Sequence, residues 1–159
     1  MFAIKLDTCT YRPLDTEATI LRAAIDSMKD KDQIPPESRA RLAMLEAVPE
    51  SDRPAIHYRP ALAGEYTDAQ VHAWQPGQNG RGGTIIDRLA LEHIVASCVT
   101  GIDNVGFEEA GVLAPVVWKV DSPISDRIAT VRKFTGPWFN VLANKVQELA
   151  EISPEEERD

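Results

Sequence analysis

A chain of 159 residues is the size of one ordinary domain, and 43% hydrophobic with 26% charged residues is far from the composition of disordered proteins. The 25 acidic side chains outnumber the 17 basic ones and give a net charge of −8. A surface of that sign repels the phosphates of nucleic acids and anionic membranes, so neither is expected as a partner.

The two cysteines, Cys9 and Cys98, are too far apart in sequence for a zinc-binding pair. We expect reduced, partly buried thiols, and one disulfide between them is left open. The residues from Met1 to Asp7 have no long apolar core, and no run reaches the length of a membrane helix. The sequence therefore predicts a soluble protein that stays in the cytoplasm.

The first third of the chain is expected to form a strand followed by a helical hairpin. Apolar and polar residues alternate from Phe2 to Leu6, which is the period of a half-buried strand. Apolar positions at helical spacing predict a helix over 16–29, and a second helix runs from the prolines at 35–36 to Val48. A separate N-terminal subunit over residues 1–48 is left open as an alternative within the single domain.

The pattern loosens between 49 and 83, where proline and glycine are frequent. Ile56 and Tyr58, and later Val71 and Ala73, alternate as short strands do. We expect a loosely ordered connection here.

A third helix is predicted to begin behind Thr84 and to end at Gly101. Asp87 lies three residues after Thr84, which is the spacing of a reciprocal N-terminal cap. Short strands fit residues 102–120, a fourth helix follows Ser122-Pro123, and Pro137 opens a fifth. The prediction is an α+β, helix-dominated single domain over 1–152, with about five helices, a few short strands and an acidic tail at 153–159.

The stretch from Gln75 to Asp87 carries glycines at the spacing of a phosphate-binding loop. Gly77, Gly82 and Thr84 match that motif, but Gly83 stands at the position of its lysine. The residues before the loop are also too polar for the buried strand that the motif requires. A glycine-rich lead-in to a capped helix is the favoured interpretation, with Arg81 and Thr84 as the anion contacts of a small nucleotide- or anion-binding regulator as an alternative.

No residue pattern predicts a catalytic centre, a metal site or a bound cofactor. His57, His72 and His93 lack ligand spacing, and Glu92 with His93 is expected on the outer face of the third helix. A spatial cluster of His57, His72 and a carboxylate stays open. The serines have no nucleophile-elbow context, and the acidic turn at 103–109 matches no calcium loop.

The aromatic residues gather in the last third of the chain. Their default role is core packing, because they carry large apolar areas. The final helix has an apolar seam that suits a core or another subunit, and its flank offers an aromatic anchor for a partner protein. The candidate partner contacts are Trp138, Phe139, Leu142, Val146 and Leu149.

The order of features from 84 to 157 resembles the tail assembly chaperone-like proteins of tailed bacteriophages. A helix ending in Ile94-Val95-Ala96-Ser97-Cys98-Val99 leads into Thr100-Gly101-Ile102-Asp103-Asn104-Val105. A turn-rich segment follows with Glu108-Glu109-Ala110-Gly111 and Trp118-Lys119. The terminal helix then ends at Glu148-Leu149-Ala150-Glu151-Ile152-Ser153 before the acidic tail.

The resemblance implies a non-enzymatic protein of the host cytoplasm that binds other phage structural proteins. Members of this group hold tail-tube or tape-measure subunits before assembly. A minor virion protein, such as a connector or tail-completion protein, is the alternative within the same setting. An acidic body with amphipathic helices suits transient protein binding and leaves homo-oligomerisation open.

Overall fold

The computed structural model describes residues 8–28, 34–77, 82–109, 111–134 and 137–151. Within these ranges the chain forms six α-helices and several short antiparallel strands in small sheets. This confirms the α+β, helix-dominated class. The predicted strand from Phe2 to Leu6 and the acidic tail at 153–159 lie outside the described residues.

The helices begin where proline or an acidic residue suits the first turn. Three of them start at a proline. Proline has no backbone N–H, and this costs nothing in the first turn, where the N–H groups make no hydrogen bond within the helix. The six helices are α1 (Pro13–Ser27), α2 (Pro36–Ala47), α3 (Ala63–Ala73), α4 (Asp87–Cys98), α5 (Ile124–Arg132) and α6 (Pro137–Glu151).

The strands of the described residues form one three-stranded sheet and two hairpins. The sheet has the antiparallel order β1 (Cys9–Tyr11), β2 (Ala55–Tyr58) and β5 (Val99–Asp103). The hairpins are β3 (Trp74–Pro76) with β4 (Gly83–Ile85), and β6 (Gly106–Glu109) with β7 (Val112–Pro115). Because β1 pairs with β2, the chain before residue 48 shares a sheet with the rest of the molecule.

Helices α1 and α2 lie against each other, as the expected hairpin requires. Arg41 donates two hydrogen bonds to Glu17, from Nε at 2.7 Å and from Nη2 at 2.9 Å. Arg53, just before β2, donates to Asp15 at 2.7 Å. These ion pairs are partly exposed and add only modestly to stability, so their main effect is to orient the hairpin.

The core lies around α4, which contacts α3, α5 and α6. Its largest fully buried side chains come from the sheet, from α4, α5 and α6, and from the turn after α5. They are Ile56, Val95, Cys98, Val99, Val131, Phe134, Phe139, Leu142 and Val146. The core therefore depends on elements spread over most of the described chain.

The predicted cap of the third helix is wrong. Thr84 lies within β4, where it pairs with Gln75, and the amide of Ile86 donates to the carbonyl of Ala73 at 3.0 Å. These bonds hold the backbone extended until Ile86, so α4 begins only at Asp87. Asp87 is thus the first helical residue instead of the reciprocal partner of a cap.

The predicted end of that helix at Gly101 is also wrong, since α4 ends at Cys98 and β5 follows at once. Gly101 lies inside β5 opposite His57. A Cβ atom at Gly101 would lie 3.2 Å from the Cδ2 atom of His57. The glycine therefore makes room for the imidazole across the strands and does not terminate a helix.

Residues 49–83 hold regular elements over most of their described length. Ile56 and Tyr58 lie in a strand, as predicted, whereas Val71 and Ala73 lie in α3 and their predicted strand is wrong. Ala69 and Ala73, four residues apart, are fully buried in α3, which is helical periodicity. Alanines gave too weak an apolar signal for this face to be recognised.

In the described part of the chain, every helix is too short or too polar to cross a bilayer.

Candidate functional site

The apolar seam of α6 belongs to the core. Phe139, Leu142 and Val146 are at most 1% exposed, and Trp138 is half-buried against the same core. The side chain of Leu149 lies outside the described residues. The three buried side chains are thus unavailable to a partner in the folded chain, which agrees with the core-packing alternative for this helix.

The glycine-rich stretch connects two antiparallel strands. Gly77 donates its amide to the carbonyl of Gly82 at 3.0 Å, which closes the β3–β4 hairpin. A phosphate loop instead joins a buried strand to a helix, and the N–H groups of that helix face the anion. Thr84 is exposed in β4, two residues before the residue that caps α4, and its hydroxyl does not cap the helix, so a phosphate cradle of this kind does not support its predicted anion contact. Arg81 lies outside the described residues.

His57 joins the three strands of the sheet. Its Nδ1 atom lies 2.9 Å from the hydroxyl of Thr10 on β1, and its Nε2 atom lies 2.7 Å from Oδ2 of Asp103 on β5. The order hydroxyl, imidazole, carboxylate resembles a catalytic relay, but the Asp103 side chain is 63% exposed. A relay depends on a water-excluded site with oxyanion donors, so this trio is better explained as a brace across the sheet.

Glu92 and His93 are buried, which overturns their predicted place on the outer face of α4. Glu92 accepts hydrogen bonds from Arg88 at 2.9 Å and from Arg132 at 2.7 Å. The guanidinium carbon of Arg88 also lies 3.8 Å from the ring centroid of Phe139. The carboxylate thereby connects α4 to α5, and Arg88 covers part of α6.

The histidines do not form the cluster of His57, His72 and a carboxylate that the sequence left open. The rings of His72 and His93 lie with their centroids 5.1 Å apart, while His57 pairs with Asp103 on the sheet. Burial lowers the pKa of His93, and the neighbouring His72 lowers it further. His93 is therefore neutral near pH 7. Among the described residues, no three His, Cys, Asp or Glu side chains are arranged to hold a metal ion.

A set of exposed apolar side chains lies on and after the β6–β7 hairpin. We call it the hairpin surface and define it as Val112, Leu113, Val117 and Val120. These side chains are 67%, 72%, 73% and 51% exposed, in that order. Isolated exposed apolar residues are ordinary, but four within nine residues are a local concentration of exposed apolar side chains. The sequence predicted short strands here but not that they would be uncovered.

A polar cleft of about 430 Å³ opens between α3, α4 and α5. Five ionisable side chains contribute to its lining, and Val120 and Ile124 add apolar atoms. The ionisable residues are Arg59, Glu65, Asp68, His93 and Arg127. Sequence reasoning missed this cleft, because its members come from three separate stretches of the chain and match no motif.

Arg59 and Glu65 form a closed pair at one side of the cleft. Arg59 donates from Nη1 to Oε2 of Glu65 at 2.9 Å, and the amide of Leu62 donates to the same oxygen at 2.8 Å. Burial raises the pKa of Glu65, but the hydrogen bonds from Arg59 and Leu62 outweigh it, so the pKa lies below its usual value. Both groups stay charged and mutually satisfied near neutral pH.

Cys98 lies beside this pair at the end of α4. Its side chain is fully buried, and it is a free thiol, as is Cys9. Burial and the Glu65 carboxylate raise the pKa of Cys98 to about 12. A thiol of that pKa is almost entirely protonated at neutral pH and is a poor nucleophile.

Comparisons of the chain with protein-family models, curated proteins and solved structures found no match.

Proposed function

We propose that the chain is a non-enzymatic binding factor of phage tail assembly that holds a tail-tube or tape-measure protein before it is assembled. The assignment to phage tails comes from the resemblance over residues 84–157. The single observation that supports a binding role is the hairpin surface. It replaces the seam of α6 as the region that we expect to contact the partner.

The base and the outer part of the β6–β7 hairpin are covered to different extents. Phe107 packs against Phe134 with ring centroids 5.7 Å apart, so the base of the hairpin is anchored to the core. Val112 and Leu113 are neighbours in β7 and point to opposite faces, yet both are exposed. The outer part of the hairpin therefore offers apolar side chains on both of its faces.

The backbone of the hairpin suits the same role. Among the described strands, β6 and β7 pair only with each other, so each has one edge without a strand partner. Such an edge can accept an extended segment of another protein, and alternate side chains then supply apolar contacts. A holding protein needs this kind of reversible contact, because its client must later leave.

The proposal is tested by co-expression with the tail-tube and tape-measure proteins of the same genome, followed by affinity purification. We expect one of them to co-purify with the chain. Absence of any complex with both proteins, under conditions where all are soluble, would contradict the proposal. Detection of the chain in purified virions would instead favour the minor virion protein, since a holding factor is absent from the finished particle.

A matched pair of variants locates the contact. Leu113 in the hairpin and Val71 in α3 are exposed to nearly the same extent, 72% and 73%. Leu113→Ser is expected to weaken the complex at least about tenfold, which is the effect of truncating a central interface residue. Val71→Ser should leave it unchanged. Equal loss in both variants would show that the contact is general apolar adhesion and not the hairpin surface.

A further inference from the structure

We propose that the polar cleft is a binding site for a carboxylate group, which Arg127 holds. The volume of about 430 Å³ is within the range of pockets that take small ligands or single side chains. The cleft combines apolar atoms with a few charged groups, which is the usual composition of such sites. This inference does not depend on the proposed role in tail assembly.

Arg127 is the cation in the cleft that lacks a carboxylate partner. Its Nη1 atom donates to the carbonyl of Ala96 at 3.1 Å. Within the described part of the chain, no carboxylate oxygen lies within ion-pair distance of this guanidinium. Its Nε atom is buried and has no hydrogen-bond partner. Because Nε has almost no accessible surface, an incoming ligand reaches this guanidinium through its terminal Nη groups.

The accessible donors of Arg127 suit a carboxylate. With Nη1 bound to Ala96, the N–H groups of Nη2 remain for a ligand. A ligand carboxylate would accept a charge-assisted hydrogen bond from Nη2.

The other charged residues that line the cleft form no ion pair with Arg127. Glu65 is hydrogen-bonded by Arg59, and the charge of Arg127 also lowers the pKa of Glu65 without an ion-pair contact. Asp68 is exposed and repels an incoming anion, though water and salt screen its charge. His93 also lines the cleft, but its unpartnered Nδ1 atom is buried and does not face the ligand. Arg127 is therefore the group that selects for a carboxylate.

Val120 connects the cleft to the hairpin surface, because it contributes to both. A polypeptide that covers the hairpin surface can thus place an acidic side chain in the cleft. Only this choice of source rests on the proposed function. A free small carboxylate would use the same Arg127 donors.

Binding is measured by two-dimensional ¹H–¹⁵N NMR, which follows the Nε–Hε signal of Arg127 directly. The probes are sodium acetate and two capped tripeptides with glutamate or glutamine between two valines, at constant ionic strength. We expect a saturable shift of this signal with the glutamate peptide and none with the glutamine peptide. Saturation by acetate with equal affinity would support the site and assign it to free carboxylates. No saturable shift with acetate or the glutamate peptide would overturn the proposal.

Two variants test the charges separately. Arg127→Gln is expected to weaken binding of the glutamate peptide about 10- to 100-fold, which corresponds to loss of a charge-assisted hydrogen bond, as followed by the backbone amide signals of the cleft. Asp68→Asn removes an exposed repelling charge and should tighten binding about two- to fivefold without affecting the fold. Unchanged affinity in Arg127→Gln, or weaker binding in Asp68→Asn, would overturn the assignment.

Discussion

Helix α6 and the β6–β7 hairpin both carry many apolar side chains, and the two elements bury them to very different extents. In α6 the apolar residues recur on one face, and Phe139, Leu142 and Val146 all lie in the core. In the hairpin, the alternation of strands divides Val112 and Leu113 between two faces. The core covers the base of the hairpin but leaves both side chains exposed. Apolar content alone therefore does not distinguish a core element from a contact surface.

The largest difference between the two elements should appear in amide hydrogen exchange. Buried amides of α6 can exchange only when much of the molecule unfolds, whereas the outer hairpin opens locally. We expect protection factors about a thousandfold or more higher around Leu142 than around Leu113. Equal protection would mean that the hairpin is covered in solution, for example by a second copy of the chain.

Truncation in the core should have the next largest effect. Leu142 is fully buried, so Leu142→Ala leaves a cavity and should lower the free energy of unfolding by about 2–5 kcal/mol. Urea denaturation followed by circular dichroism measures this change. A loss below about 1 kcal/mol would show that α6 is packed more loosely than the structure indicates.

Removing the charge of Glu92 should have an intermediate and pH-dependent effect. Burial raises the pKa of this carboxyl, but hydrogen bonds from Arg132 and Arg88 outweigh it, so its pKa is lowered in the folded state. Its stabilisation is then fully present above the unfolded pKa of about 4.3 and is lost as the pH falls through the folded value. Because both arginines are half-exposed, Glu92→Gln should lower stability by about 1–2 kcal/mol at pH 7.

The measurement for Glu92 is a series of urea titrations from neutral to acidic pH. The difference between the wild type and Glu92→Gln should shrink as the carboxyl becomes protonated. If the difference in free energy of unfolding stays constant over this pH range, altered packing at position 92 explains the destabilisation, and the lost charge does not. Glu108→Gln, in the exposed part of β6, is the matched control and should leave stability unchanged.

The smallest effect on stability is expected in the hairpin surface itself. Leu113→Ala removes apolar atoms that are already mostly in water, so the free energy of unfolding should change by less than about 0.5 kcal/mol. Differential scanning calorimetry of this variant beside Leu142→Ala makes the comparison direct. A large loss in Leu113→Ala would remove the distinction between the two elements.

The sequence predicted elements best where one local pattern decided the structure. The helices around 16–29, 36–48 and from Pro137 follow apolar spacing and prolines, and the structure confirms them within a few residues. Where two elements compete for the same residues, local rules failed. Thr84 has the chemistry of a helix cap, yet pairing with Gln75 keeps it in a strand.

The polar cleft could not be predicted, since it exists only through tertiary contacts. Arg59, His93 and Arg127 lie far apart in sequence and meet through the packing of α3, α4 and α5. The same limit explains the error for Glu92, whose burial depends on Arg132 in another helix. A charged residue in an amphipathic helix is ordinarily assigned to solvent, and only the partner in the fold reverses that assignment.

Because Cys98 is buried, the rate at which its thiol is alkylated measures how often the core opens. The sulfur is fully enclosed, and its thiolate form is scarce at neutral pH. An alkylating reagent can modify it only after the core around Cys98 opens, whereas Cys9 is partly accessible in the folded chain. The fast phase of alkylation therefore belongs to Cys9, and the slow phase reports how often the core opens.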